Sequence, residues 1–174
     1  LKQPNPDRLI FNASMYPQLK LPSFATGGVA ELPGSDLAAM VVYFGVDRRL
    51  AMYVAKMDDV LIGKAQWRVV FNQSDDVREV DFGHGYVYLR SALNAPRFKV
   101  LRLKVPELSM DKAATILPES EGVLRAMSVA KDALYVTRRE GVNTSLLRLV
   151  PSPVSSTNVD LQKVPLPIEG NVTV

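Results

Sequence analysis

Cysteine is absent and histidine occurs once, as His84. The first absence excludes disulfides, thiolate nucleophiles and thiolate metal sites. The second excludes a histidine-built metal centre, since no cluster of carboxylates stands near His84 to complete one. Long apolar runs are missing too: residues 37–46 are among the longest, far short of the ~20 a membrane-spanning helix requires. Charge of one sign is never concentrated. Lys and Arg number 21 against 18 Asp and Glu, for a net +3 and a pI near 9.2, and the basic residues are dispersed through the chain. That distribution gives no footprint for nucleic acid. Asp47-Arg48-Arg49 and Arg138-Arg139-Glu140 read as solvated turns. No Gly-x-Ser-x-Gly occurs; Pro33-Gly34-Ser35-Asp36 lacks the flanking glycine and a following helix, so no nucleophile elbow is present. These absences leave no catalytic residue, cofactor or metal to assign.

What is present is β-structure. Hydrophobic residues make up 47% and charged residues 22% of 174, a globular composition with enough chain for one core. Short alternating runs rich in Val, Tyr and Leu recur, bounded by Gly, Pro, Asn, Asp and Ser. Helical spacing is confined to a turn or two in "MDDVLIGKAQ" and "SMDKAAT".

The strands repeat. Tyr43, Tyr88 and Tyr135 fall in corresponding strands at intervals of 45 and 47. The next strands begin near Arg49, Arg97 and Thr144, spaced 48 and 47, and the next near Trp67, Ala114 and Gln162, spaced 47 and 48. A unit of about 46 residues with three or four strands is what a propeller blade needs, because one such sheet cannot bury both faces but stacked neighbours can. A β-sandwich with evenly spaced strands is the alternative. The expected fold is all-β: a partial β-propeller of about three to four blades of three- to four-stranded antiparallel sheets. Residues 37–72, 76–118 and 121–166 are the expected blades. Residues 1–36 are expected to end a preceding blade and connect onward, and 168–174 to open a further one. Leu1 is not an initiator residue, and with fewer than four blades the chain is expected to be an internal piece of a larger propeller.

Several stretches carry a resemblance. They are "GVDRRLAMYVAKMDD" (45–59), "AQWRVVFNQSDDVREVDFGHGYVYLRSALNAPRFKVLRL" (65–103), "ILPESEGVLRAMSVAKDALYVTRREGVNTSLLRL" (116–149) and "VPLPIEGNV" (164–172). Together, residues 36–174 resemble the propeller domain of the prolyl oligopeptidase family of serine peptidases, particularly its bacterial members. In that family a blade strand runs into an Ala/Ser-Pro loop, then an aromatic, a basic and an aliphatic residue, as Ala95-Pro96-Arg97-Phe98-Lys99-Val100 does here. The resemblance implies a non-catalytic lid that limits access of short peptides to an α/β-hydrolase domain of the same parent chain, in a bacterial cytoplasm or periplasm. It also implies that the loop before Pro96 faces that domain, which makes Asn94 and Arg97 the candidate substrate-facing residues. This loop lacks an arginine some members carry nearby, and Arg97 stands where asparagine is common.

The remaining features have local readings. Pro96 fixes its own φ and holds Ala95 extended, so the chain enters the following strand straight. Phe98, Val100 and Arg102 then share one face, with Lys99, Leu101 and Leu103 on the other. Gly83-His84-Gly85 is a hairpin turn. Asp75, Asp76, Glu79 and Asp81 lack calcium-loop spacing and read as solvated charge at a blade edge. Gly27-Gly28 reads as a tight turn and Trp67 as packed between blades. Asn12, Asn72, Asn143 and Asn171 fit the glycosylation pattern, which matters only in a eukaryotic secretory setting. A stand-alone β-repeat module that binds protein or peptide through its loops is the second functional reading. Either way, open blades are expected to self-associate.

Overall fold

The structure, a computed structural model, describes residues 9–151 and 159–166. Twelve strands form three four-stranded antiparallel sheets, each a simple meander. The first holds β1 (Thr26–Glu31), β2 (Leu37–Phe44), β3 (Asp47–Lys56) and β4 (Arg68–Phe71). The second holds β5 (Val77–Gly83), β6 (Tyr86–Ser91), β7 (Lys99–Lys104) and β8 (Ala114–Leu117). The third holds β9 (Val123–Val129), β10 (Leu134–Glu140), β11 (Asn143–Pro151) and β12 (Val159–Val164). The sheets stack as blades of an unclosed propeller. Among the described residues, helix is limited to α1 (Met57–Leu61) and four 3₁₀ turns. No helix among the described residues is long and apolar enough to cross a membrane.

Period-two alternation explains the stacking. In β3, Met52 and Val54 face the second sheet while Ala51, Tyr53 and Ala55 face away from it. The core between the first two sheets gathers Leu32, Met52, Phe71, Val77, Val87, Leu89, Leu101 and Leu103. Between the second and third sheets it gathers Tyr88, Val100, Leu124, Leu134, Val136, Leu147 and Leu149. Full burial of such side chains is worth about 1.5–3 kcal/mol each, so apolar stacking is what holds blade to blade. The faces assigned across β7 hold: Val100 and half-buried Phe98 join the core toward the third sheet, Leu101 and Leu103 the core toward the first. Buried Arg102 lies 4.4 Å from the Tyr86 ring centroid, a cation–π contact that leaves its stem in the core.

Three expectations are corrected. Thr26–Glu31 pairs with β2 from Thr26↔Tyr43 to Glu31↔Ala38, so this segment belongs to the first sheet and not to a preceding unit. Gly27 and Gly28 lie inside that strand, not in a turn. A Cβ on Gly27 would stand 2.7 Å from the Phe11 ring, so the missing side chain lets the N-terminal segment lie on the strand. That segment, including Phe11, Ala13, Tyr16 and Leu19, covers the outer face of the first sheet. Trp67 meets Tyr16 edge-to-face there, with ring centroids 6.0 Å apart, so it packs under this cover and not between two blades. The tyrosine spacing holds: Tyr43, Tyr88 and Tyr135 all fall in the second strand of their sheets, although Tyr88 lies opposite Asp81 and Tyr135 opposite Ser128 while Tyr43 lies opposite Thr26 at the other end of its sheet. The tyrosine spacing marks equivalent strands, not equivalent levels. Residues 168–174, expected to open a further blade, lie outside the described residues.

Candidate functional site

The described chain forms a cleft of about 580 Å³ at the end of the blades where β2 turns into β3 and β6 into β7. All three sheets line it. The first gives Tyr43, Val46, Asp47 and Arg48 from the β2–β3 hairpin; the second gives Arg78, Arg90, Pro96 and Phe98; the third gives Leu124 and Arg125. Two-residue hairpins need positive φ at defined positions. Gly45 supplies it at 61°, pushing Val46 fully into solvent at the cleft mouth.

The β6–β7 loop is two successive turns. Ala95 N–H donates to Ala92 O at 3.0 Å and Phe98 N–H to Ala95 O at 2.7 Å. Asn94 and Phe98 both take positive φ, 53° and 71°. For phenylalanine this conformation costs of order 1–3 kcal/mol and persists only where the surroundings enforce it. They do: the Arg90 guanidinium sits 4.3 Å from the Phe98 ring centroid, and the ring packs on the third sheet's core.

Arg90 is itself held. Its Nε donates to Glu79 Oε2 at 2.7 Å and its Nη1 to Leu124 O at 3.3 Å. Arg78 Nε donates to Asp76 Oδ1 at 2.5 Å. Asp47 accepts from Arg49 Nη2 at 2.7 Å, from Arg49 N–H at 2.9 Å and from Gln73 Nε2 at 3.0 Å. The Arg49 guanidinium beside it lowers the Asp47 carboxyl to about 2. Arg48 and Arg125 are exposed, and their side chains share no hydrogen bond or ion pair with any described residue.

Asn94 and Arg97, the residues selected from sequence, sit on the same loop but do not line the cleft; both are exposed. The Arg97 main chain instead clips the loop to the third sheet. Its N–H donates to Glu119 Oε1 at 2.6 Å, and its carbonyl accepts from Leu124 N–H at 3.1 Å. Sequence reading missed the four lining arginines. One signal was available: Arg78 and Arg125 are 47 residues apart, the repeat interval, near the start of β5 and β9.

The acidic run is not solvated edge charge. Asp75 closes a capping box with Asn72, accepting from Asn72 N–H at 2.9 Å. Glu79 Oε1 accepts from Met127 N–H at 3.2 Å and Asp81 Oδ2 from Val129 N–H at 2.6 Å. These half-buried carboxylates therefore bind the second sheet to the edge of the third. No three His, Asp or Glu side chains converge as a metal site among the described residues. His84 occupies the β5–β6 turn with φ 55°, followed by Gly85 at 76°, as a two-residue hairpin demands. Its Nε2 is 3.2 Å from Lys131 O in the β9–β10 turn.

Three four-stranded meanders stacked about a shared cleft define a piece of a β-propeller, and solved structures give that piece its counterpart. A prolyl endopeptidase from a study of inter-domain dynamics in catalysis and specificity superimposes with a TM-score of 0.65 at 16% identity, over 86% of this chain and 21% of that one. Prolyl oligopeptidase B from Galerina marginata, without ligand, gives 0.63 at 18% identity over 86% and 21%. Its histidine-to-alanine variant bound to a 35mer hydrolysis and macrocyclization substrate gives 0.66 at 18% identity over 84% and 20%. The chain thus shares the fold of a prolyl oligopeptidase propeller region and spans about a fifth of the length of these proteins. No family model matches the sequence, and no curated protein matches it.

Proposed function

We propose that the chain is the non-catalytic propeller portion of a prolyl oligopeptidase-like serine peptidase, whose blades limit which peptides reach a hydrolase domain of the same protein. The observation carrying this is the fold correspondence across 84–86% of the chain with three prolyl oligopeptidase structures. The physical logic is size exclusion. Packed blades over an active site admit short flexible peptides and turn folded proteins away, so specificity arises partly from access. The partners in this reading are the hydrolase domain and short peptides, with Asn94 and Arg97 on the loop facing that domain.

The test uses the product of the complete gene. It is expected to react with a fluorophosphonate probe for serine hydrolases and to cleave a short proline-containing peptide. The same sequence embedded in a folded protein should remain intact. The 174-residue chain alone should neither label nor cleave. A complete product that does not label overturns the peptidase reading.

One observation favours a second reading, a stand-alone β-repeat module that binds a protein or peptide and self-associates. The outer face of the first sheet is covered by residues 11–21 of the same chain, as an end blade of an independent array requires. The same labelling experiment separates the two.

A further inference from the structure

We propose that the cleft shared by the three sheets binds an acidic peptide segment, its carboxylates held by Arg48 and Arg125. The identity of the ligand as a peptide rests on the function proposed above; the anion selectivity rests on the cleft itself.

The charge inventory carries the inference. Four arginines line the cleft against one carboxylate, Asp47. That carboxylate is saturated by Arg49 and Gln73, so it offers little to an incoming cation. Arg78 and Arg90 are ion-paired to Asp76 and Glu79, so their charge is largely compensated and the uncompensated positive charge of the cleft rests on Arg48 and Arg125. Arg48 and Arg125 come from different sheets and have no partner among the described residues. A guanidinium presents a planar fork of donors matched to a carboxylate, and two such forks from different sheets select a ligand bearing more than one negative group.

The walls argue for a chain and against a small inorganic anion. Exposed Tyr43 and Val46 come from the first sheet and Pro96 with half-buried Phe98 from the second. A free phosphate would leave that apolar surface unused. A cleft of about 580 Å³ lies within the range of roughly 300–1,000 Å³ typical of small-ligand sites, room for a few side chains of a peptide. A nucleic acid would require a continuous basic track with stacking platforms, and the basic residues here are dispersed.

The experiment measures fluorescence anisotropy of labelled peptides against the 174-residue chain. The probes are a short Glu/Asp-rich peptide with one proline and one aromatic residue, and its Lys-for-acid counterpart. The acidic peptide should bind at least tenfold more tightly and weaken steeply with added NaCl, since exposed pairs are screened. The Arg48→Ala, Arg125→Ala double variant should lose roughly fivefold to tenfold, the scale of two exposed charge pairs. Arg48→Lys, Arg125→Lys should recover part of that loss. Neither arginine side chain has a partner among the described residues, so unchanged urea unfolding confirms that the variant is intact.

Equal binding of both peptides, no binding of either, or full binding by the double variant overturns the proposal. So does displacement by equimolar inorganic phosphate, which marks a simple anion site, or tighter binding of a single-stranded oligonucleotide. Fluorophosphonate labelling of the complete gene product reads the peptidase proposal separately, so the failure of one is distinguishable from the failure of the other.

Discussion

At the residue scale, burial sets the chemistry of Tyr88. Its side chain is fully buried, its hydroxyl has no hydrogen-bond partner among the described residues, and burial pushes its pKa up to about 12. An unsatisfied buried polar group costs about 1–3 kcal/mol. Tyr88→Phe removes the hydroxyl and keeps the ring, so the variant is expected to match or exceed the parent by about 1 kcal/mol in urea unfolding; clear destabilisation would reveal a partner for the hydroxyl. Asp47 gives the opposite case, a half-buried surface group whose pKa is held low by Arg49. Its folded value of about 2 lies below the ordinary 3.8, so its contribution to stability is fully present above pH 4 and is lost as pH falls toward 2. Asp47→Asn should remove that part of the acid dependence, measured by unfolding between pH 4 and 2. Sequence legibility is also a residue matter. Alternation placed Phe98, Val100 and Arg102 on one face because pleating is local. It misplaced Trp67 and Gly27, because what covers them is a segment about 50 residues away for one and about 16 for the other, and periodicity carries no record of such neighbours.

At the element scale, β5 is the joint. It is the first strand of its sheet, and β9 is the first of the next, so each presents an edge with unpaired main-chain groups. Glu79 and Asp81, two apart on β5, accept the N–H groups of Met127 and Val129, two apart on β9. Side chains thus replace the ladder that two stacked blades cannot form. Asp81→Ala should leave the Val129 N–H without its acceptor and cost about 1–3 kcal/mol. Gly83 completes the joint by close approach: a Cβ there would stand 2.5 Å from Val129 Cγ1. Gly83→Ala should therefore cost about 1–3 kcal/mol from overpacking, and adding Val129→Ala should recover part of it, a coupling read by a double-mutant cycle of unfolding energies. In sequence these acids resemble edge charge because the strand pattern shows which face a residue takes, not which neighbouring edge it meets. The cleft was hidden for the same reason. Its arginines lie between positions 48 and 125 and converge only when three sheets stack.

At the scale of the whole molecule, the two ends of the stack differ. The first sheet's outer face is covered by Phe11, Tyr16 and Leu19. Among the described residues, the third sheet's outer face has no such cover. Leu134, Val136, Leu147 and Leu149 face inward, so alternation turns Tyr135, Leu146 and Val150 outward, where they are half-buried and join none of the three cores. The expectation that open blades self-associate therefore narrows to the side of the third sheet. A C₂ dimer through that face is self-limiting, whereas the covered first sheet blocks a head-to-tail filament. The chain is expected to sediment above its 19.2 kDa monomer mass at high concentration, and Leu146→Lys with Val150→Lys should return it to monomer. Tyr16→Ala should act in the opposite direction. Losing this aromatic cover costs about 3–5 kcal/mol, the scale of large-to-small changes at buried rings. It also uncovers Trp67, the one tryptophan, whose emission should shift to the red. With both outer faces then available, sedimentation should show growth beyond the dimer. A Tyr16→Ala chain that stays dimeric would mean the first sheet's face is not a blade-stacking surface, and the stack would have an intrinsic end there.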